Sequence, residues 1–277
     1  MSGWQWADVD VAVPRRRLRL PGVAMAGFRQ QAGGTAGDAG IAMVAHPAVT
    51  LILDLSETGG IVRDAGGTSG RGSFVAGLLP GRLRTGGREG VCLQIRLSPA
   101  VAAAVLPAPE LTGTVVTLED VWGRDAGRTE DRLRAAPTWD ERFTIATDVL
   151  ARCLAAAPRV EAEVARAWHR TRAARGRVRI DGLAEEVGWS RKRLWSRFRA
   201  QLGVTPKRAA GLVRFDHAAR LLAAGHPAAT AAALSGYADQ PHLNRETRAI
   251  TGLTPAELAR APWLAIDDVA WPAASRP

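Results

Sequence analysis

The 277 residues of this chain are enough for two ordinary domains, and their net charge of +10 is unevenly distributed. Residues 159–261 carry 19 Lys and Arg against 9 Asp and Glu, whereas residues 1–158 carry 17 against 16. The two cysteines are too few for a disulfide framework or a metal cluster, and the first thirty residues lack the pattern of a signal peptide or a membrane span. The sequence therefore predicts a soluble, cytoplasmic protein in which a basic, nucleic-acid-binding domain follows a neutral one.

Alternating apolar residues predict β-strands between residues 20 and 120. The alternation is clearest over Val49–Leu55 and Val91–Leu97, and it is typical of half-buried strands. Weaker strand candidates lie at Ser73–Leu78 and Thr114–Leu118. Turns are predicted at Gly59-Gly60, Asp64–Gly67 and Gly86-Gly87. Short strands divided by turns indicate a small antiparallel barrel or sandwich.

Three helices are predicted after these strands, at Pro99–Leu106, Leu118–Trp122 and Trp139–Ala156. The last has an apolar stripe at helical spacing, made of Phe143, Ala146, Val149, Leu150 and Leu154. This stripe can serve as a dimerisation surface, or it can pack on its own barrel, and the sequence leaves both open.

The first domain carries no recognisable catalytic constellation. His46 is its only histidine, so a metal centre of His and carboxylate ligands is not expected. Neither Cys92 nor Ser98 has a visible neighbouring base, and Gly33-Gly34 and Gly66-Gly67 lack the Lys of a phosphate-binding loop. We therefore expect a domain that is not an enzyme and has no cofactor.

The C-terminal third contains an internal repeat. One copy runs from Ala184 to Pro206 as A-EEV-GW-S-RKRLWSRFRAQL-GVTP, and the other runs from Ala232 to Pro255 as A-ALS-GY-ADQPHLNRETRAIT-GLTP. Each copy has a short helix, a Gly-aromatic turn and a second helix that ends on Gly-apolar-Thr-Pro. This order of elements is that of a helix-turn-helix, which reads DNA with its second helix.

Capping residues predict where the helices of this domain begin and end. Val160–Arg175 opens the domain and Gly176 ends that helix, while Asp181 is expected to cap a short helix that ends at Val187. The remaining predictions are Ser190 as the cap of Arg191–Gln201, Pro206–Ala224 as a connecting helix, Asp239 as the cap of Gln240–Ile250, and Thr254 with Glu257 as a capping box.

Helical phase predicts which side chains reach DNA. If Leu194 and Phe198 face the core, the residues on or beside the opposite face are Lys192, Arg193, Trp195, Ser196 and Arg199. In the second copy Leu243, Thr247 and Ile250 face inward, which leaves Pro241, His242, Asn244, Arg245 and Arg248 outward. Arg reads guanine and Asn reads adenine through paired hydrogen bonds, so Arg245 and Lys192 are the strongest candidates.

The same residues have simpler alternatives. Arg193, Arg197, Arg199 and Arg248 can contact phosphates, which position a protein without reading sequence. Trp195 can pack on the connecting helix instead of DNA, and His242 can be a neutral surface residue.

Residues 160–262 resemble the AraC/XylS family of transcription regulators. The resemblance rests on Leu183-Ala184, Gly188-Trp189-Ser190, Leu194, Phe198, Gly203, Pro206, Arg214, Ala218, Leu221-Leu222, Gly236-Tyr237, Asp239-Gln240, His242-Leu243-Asn244-Arg245, Gly252 and Thr254-Pro255. It implies two helix-turn-helix units joined by a long helix, with base contacts from Lys192, Trp195 and Ser196 and from Gln240, His242, Asn244 and Arg245. Gly90–Pro99 and Leu111–Gly123 resemble, less closely, the barrel-like regulatory domains of such proteins.

Two departures from the family pattern lie in the second unit. Ala231 stands where a branched apolar residue is common, and Thr247 stands where Phe is common. Smaller core side chains cost about 2–5 kcal/mol each where a cavity remains, so we expect a looser second unit that orders fully on DNA. In the first unit Ser196 replaces a frequent basic residue.

The prediction as a whole is an α+β protein that regulates transcription. A cupin-like β-barrel regulatory domain with appended helices (1–158) precedes an all-α DNA-binding domain (159–262) and a C-terminal tail (263–277). The expected partner is double-stranded operator DNA, and the family resemblance adds a small-molecule effector, RNA polymerase and a second copy of the chain. Alternatives are an enzyme or repair protein that uses the domain for targeting, and a DNA-binding protein indifferent to sequence.

Overall fold

The computed structural model describes residues 9–16, 18–30, 41–43, 46–56, 61–63, 69–78, 83–86, 90–106, 111–157, 159–261 and 270–271. The predicted turns at Gly59-Gly60 and Asp64–Gly67 lie outside these residues, as does Gly87 of the third.

The first domain contains two antiparallel sheets. Its strands are β1 (Val9–Ala12), β2 (Val23–Gln30), β3 (Ile41–Met43), β4 (Val49–Asp54), β5 (Ile61–Arg63), β6 (Ser69–Arg71), β7 (Phe74–Ala76), β8 (Leu83–Gly86), β9 (Gly90–Leu97) and β10 (Val115–Thr117). The six-stranded sheet has the order β1-β2-β9-β4-β7-β10, and the four-stranded sheet has the order β3-β8-β5-β6. The predicted antiparallel β domain is thereby confirmed.

Strand β4 is buried on both faces, which corrects the prediction of a half-buried strand. Leu51 and Leu53 pack into the main core, whereas Thr50, Ile52 and Asp54, which point the other way, are also almost fully buried. The second face is covered as well, because Ile52 packs in a separate cluster with Phe74 and Ala76 and Thr50 is hydrogen-bonded to the buried His46. Strand β9 keeps the predicted alternation, with Leu93, Ile95 and Leu97 buried and the residues between them half-buried.

Helix α1 (Pro99–Val105) lies between β9 and β10, and β10 is followed by α2 (Leu118–Trp122), α3 (Arg124–Ala135) and α4 (Trp139–Ala156). The predicted stripe of α4 is seated on its own domain, because Phe143, Ala146 and Leu150 belong to the main core. Trp139 lies against Gly27 of β2, where a side-chain carbon would come within 2.3 Å of the indole ring. Helix α3 was not predicted, since only Ala126, Thr129 and Leu133 of its twelve residues are buried.

The second domain is entirely helical. Its elements are α5 (Ala162–Ala173), α6 (Ile180–Glu186), α7 (Arg191–Leu202), α8 (Pro206–Ala223), α9 (Ala228–Ser235), α10 (Gln240–Thr251) and α11 (Pro255–Ala259). The caps Ser190, Asp239 and Thr254 are confirmed. The cap at Asp181 is wrong: α6 begins at Ile180, two residues earlier than predicted, and its N-cap is Arg179. Asp181 lies in the first turn, where it pairs with Arg191 at 3.0 Å.

The two helix-turn-helix units are held in different ways. Leu194, Phe198 and Leu202 of α7 belong to a core that runs without interruption into the six-stranded sheet. The second unit has its own cluster around Phe215 and Leu243. The connecting helix α8 contributes its first half to one core and its second half to the other. The first unit is thus joined to the regulatory domain, whereas the second unit packs on α8, with Ile250 of α10 also in contact with the first core.

A buried histidine makes the stability of the fold depend on pH. The pKa of His46 lies well below its ordinary value of 6.5, because burial disfavours the charged ring and Arg96 and Arg220 add positive charge nearby. The pKa of His217 is also lowered, first by burial and then by Arg175 and Arg177. The unfolded chain takes up protons at these positions that the folded chain refuses, so stability is lost as the pH falls below about 6.5.

Replacement of His46 by Gln should flatten this dependence. Denaturant titrations from pH 7 to pH 5 should show a slope smaller by up to about 1.4 kcal/mol per pH unit than in the unmodified chain. His226→Gln, at an exposed position, is the control. An unchanged slope in His46→Gln would contradict the assignment.

Candidate nucleic-acid interface

The recognition helices α7 and α10 are built in the same way. Each begins at a side-chain cap: Ser190 accepts a hydrogen bond from the Arg193 amide, and Asp239 accepts one from the His242 amide. Each ends at a glycine with positive φ, 71° at Gly203 and 72° at Gly252. That backbone conformation is strained for other residues, and it turns the chain sharply into the next helix.

The outer face of α7 carries the residues predicted for the first unit. Lys192 and Ser196 are exposed, and no described residue pairs with either of them. Trp195 is 46% exposed, and the Arg199 guanidinium lies 5.3 Å from the centre of its ring. Arg193 stacks on Trp189 at 4.6 Å. These contacts leave an aromatic and cationic surface on the helix.

Arg197 has a structural role that sequence reasoning missed. Its Nε and Nη2 donate to the two carboxylate oxygens of Glu161 at 2.9 and 2.7 Å, and Gln201 Nε2 donates to Glu161 at 2.6 Å. These hydrogen bonds, first that of Arg197, hold the pKa of Glu161 below its usual range. The network ties α7 to the start of α5, so Arg197 orients the recognition helix. Its partners lie too far apart in the sequence for any local pattern to reveal them.

The outer face of α10 is more open. Gln240, Arg245 and Arg248 are exposed, and among the described residues none forms an ion pair with them. His242 is half-buried, with its ring edge against Tyr237 at 5.1 Å and its Nε2 3.7 Å from Glu246. Asn244 is also half-buried, and its Oδ1 is shielded from solvent without a hydrogen bond from the described residues. Gln240 and Arg245 are therefore the exposed members of the predicted base readers in this unit.

Glu246 anchors α10 to the connecting helix. Arg214 of α8 donates to its carboxylate at 3.0 Å, and the same guanidinium lies 4.7 Å from the centre of the Tyr237 ring. Tyr237 belongs to the turn of the second unit, so one arginine contacts both the turn and the recognition helix. Arg214 was noted in the sequence only for its resemblance to the family pattern.

The small residues of the second unit lie inside its core. Ala231 and Thr247 are both 0% exposed, and the Thr247 hydroxyl is buried without a hydrogen-bond partner among the described residues. Such a hydroxyl costs about 1–3 kcal/mol. Greater looseness of this unit stays a prediction, but the orphan hydroxyl supplies a second physical reason for it.

Thr247→Val should stabilise the second unit by about 1 kcal/mol, because it keeps the shape and removes the orphan hydroxyl. Thr251→Val is the matched control and should destabilise it, since the Thr251 hydroxyl donates to the Thr247 carbonyl at 2.7 Å and accepts from Leu253.

Amide hydrogen exchange without DNA should be faster in α9 and α10 than in α6 and α7. Equal protection of the two units would contradict the prediction.

No group of three or more His, Cys, Asp or Glu residues suited to a metal occurs among the described residues. Cys92 and Cys153 are free and half-buried, and burial, followed by the charge of Asp54, raises the pKa of Cys92 to about 12. None of the helices described is both long and apolar enough to cross a membrane.

Comparison with known proteins places this interface in a known domain type. Residues 183–261 match the family model described as "Helix-turn-helix domain", which is of the AraC type. Both units, α6 to α7 and α9 to α10, fall within the match. No curated protein matches the chain.

Several solved structures show similarity at low identity. The C-terminal domain of AraT, a response regulator from Geobacillus stearothermophilus, is 22% identical to this chain. The match covers 37% of this chain and 88% of the AraT domain, with a TM-score of 0.35. ToxT from Vibrio cholerae, bound to (E)-4-(8-methylnaphthalen-1-yl)but-3-enoic acid, is 10% identical. That match covers 86% of this chain and 98% of the ToxT chain, with a TM-score of 0.49. The AraC-like transcriptional activator CuxR is 16% identical, over 71% of this chain and 82% of the CuxR chain, with a TM-score of 0.29.

Proposed function

We propose that this chain, in which residues 183–261 form an AraC-type helix-turn-helix domain, is a sequence-specific regulator of transcription. Helices α7 and α10 enter adjacent major-groove segments of operator DNA about one helical turn apart. The bases are contacted by Lys192, Trp195, Ser196, Gln240, His242, Asn244 and Arg245, and Arg193, Arg199 and Arg248 add contacts to bases or phosphates.

One observation carries this proposal. Both recognition helices bury their apolar face and leave cationic side chains exposed opposite it, and none of these forms an ion pair with a described residue: Lys192 on α7, and Arg245 and Arg248 on α10. Exposed cations on two equivalent helices match the phosphates and guanine edges of a duplex. The 19 basic residues against 9 acidic ones in residues 159–261 supply the wider field.

The two units divide the work. The first anchors, since α7 is fixed by the continuous core and by the Glu161 network, and its surface mixes cations with Trp195. The second discriminates, because Arg245 and Asn244 can each form paired hydrogen bonds with a base. Its core is thinner, and it adjusts more readily to the groove.

The first domain regulates the second. Thr112 donates to the Gly203 carbonyl at the end of α7 at 2.8 Å, and Leu111 lies beside Leu202 in the shared core. A small-molecule effector or a second copy of the chain bound to this domain would shift α7 through these contacts. RNA polymerase is a further partner of the DNA-bound form.

Competition binding separates this function from its alternatives. A labelled duplex that carries a preferred site should be displaced by the same unlabelled site far more readily than by random duplex, with affinity falling steeply as salt rises. Equal competition by both duplexes would favour a DNA-binding protein indifferent to sequence. Ligand-dependent turnover of a substrate would favour an enzyme that uses the domain for targeting.

A further inference from the structure

The last described residues of the chain return to the first domain. Ala270 and Trp271 are 2% and 3% exposed, and they pack with Ala26 and Phe28 of β2, next to Cys92 of β9. The Arg96 guanidinium lies 4.2 Å from the centre of the Trp271 ring. We call the seat of this ring, formed by Ala24, Ala26, Phe28, Cys92 and Arg96, the indole bay.

The indole bay lies on the second face of the six-stranded sheet, away from the main core. Ala24 pairs with Arg96, Ala26 with Gln94 and Phe28 with Cys92, so these residues alternate with Met25, Leu93 and Ile95, which point into the core. Two alanines on β2 leave room for a ring, Phe28 supplies an apolar wall, and Arg96 supplies a cation for its π face. The site suits a planar aromatic group, and this chain fills it with its own tryptophan.

Docking of Trp271 connects the end of the second helix-turn-helix unit to the regulatory sheet. The second helix-turn-helix unit ends at α11, where Leu258 is fully buried in that unit's cluster. Eight residues separate Ala261 from Ala270, so the Cα atoms of these two residues are at most about 32 Å apart. A docked indole therefore ties the end of the second unit to the regulatory sheet, in addition to the contacts that α8 and Arg177 make with this unit.

We propose that residues 270–271 are an intramolecular latch, in which Trp271 fills a site for planar aromatic ligands on the regulatory sheet and restrains the second helix-turn-helix unit. A ligand with a flat aromatic ring that binds in the indole bay displaces Trp271, and this displacement favours DNA binding. The consequence for DNA rests on the proposed function, whereas the aromatic site does not.

Two variants of the full chain open the latch in different ways. Trp271→Ala removes the ring. Ala26→Leu keeps Trp271 in the sequence but fills the indole bay, so the ring can no longer dock there. Val13→Ala changes an exposed apolar residue of the same domain and is the control. Circular dichroism first establishes that each variant is folded. Both latch variants should bind a selected duplex at least about fivefold more tightly than the unmodified chain.

Free indole is the probe for the bay. It should raise the melting temperature of Trp271→Ala and leave that of Ala26→Leu unchanged, because only the former has an empty site. Indole carries no tether, so DNA binding by Trp271→Ala should stay tight in its presence.

Unchanged or weaker DNA binding by both folded variants would overturn the latch. Absence of indole-dependent stabilisation in Trp271→Ala would overturn the aromatic site. If no form of the chain, including the unmodified one, prefers any duplex, the proposed function fails, and the melting experiment still decides whether the bay binds aromatic rings.

Discussion

Phe198→Ala should lower the free energy of unfolding by about 3–5 kcal/mol, the largest effect we expect from a single substitution outside the DNA contacts. Phe198 is 0% exposed and lies in the core that joins α7 to the regulatory sheet. Its loss leaves a cavity at the junction of the two domains. Urea denaturation measured for both domains should therefore show destabilisation of both, together with loss of DNA binding.

Trp195→Ala is the matched control for Phe198→Ala, since it removes an aromatic ring from the exposed face of the same helix. Its free energy of unfolding should stay within about 0.5 kcal/mol of the unmodified chain. Equal destabilisation by the two substitutions would show that Phe198 does not lie in a core of the kind described here.

Arg245→Ala should weaken binding to the preferred site by about 1–3 kcal/mol, or roughly 5- to 150-fold, and should relax base choice at one position. The reason is that a guanidinium forms two parallel hydrogen bonds with guanine that alanine cannot replace. Arg245 is exposed on α10, and no described residue competes for it. Affinities for duplexes that vary only at that position measure the effect.

Arg248→Ala separates a base contact from a phosphate contact on the same helix. If Arg248 contacts a phosphate, its loss should weaken all duplexes alike and reduce the slope of log affinity against log salt by about one. The same uniform loss in Arg245→Ala would contradict its role as a reader and assign it to the backbone.

Local patterns predicted the DNA-binding domain well. Helix starts could be predicted at Ser190, Asp239 and Thr254, because the side chain of each accepts a hydrogen bond from the backbone amide three residues later. The buried faces of α7 and α10 followed from helical spacing, and Leu194, Phe198 and Leu243 are all fully buried. These features depend on neighbours within a turn or two, which a sequence displays directly.

Features that depend on distant residues escaped prediction. Strand β2 was missed because Ala24, Ala26 and Gly27 hide its alternation; the sheet needs small residues there to seat Trp271 on one face and Trp139 on the other. The Glu161 network and the cation–π contact of Arg96 with Trp271 join residues far apart in the chain. The false cap at Asp181 arose because a carboxylate near a helix start can equally form an ion pair, here with Arg191.

Selection of bound sequences from random duplex by the full chain tests the central claim most directly. We predict an enriched site with two short conserved blocks about one helical turn apart, and loss of preference at one position of one block in Arg245→Ala. An unselective pool, with binding governed by salt alone, would contradict the reading of this chain as a two-unit, sequence-specific regulator.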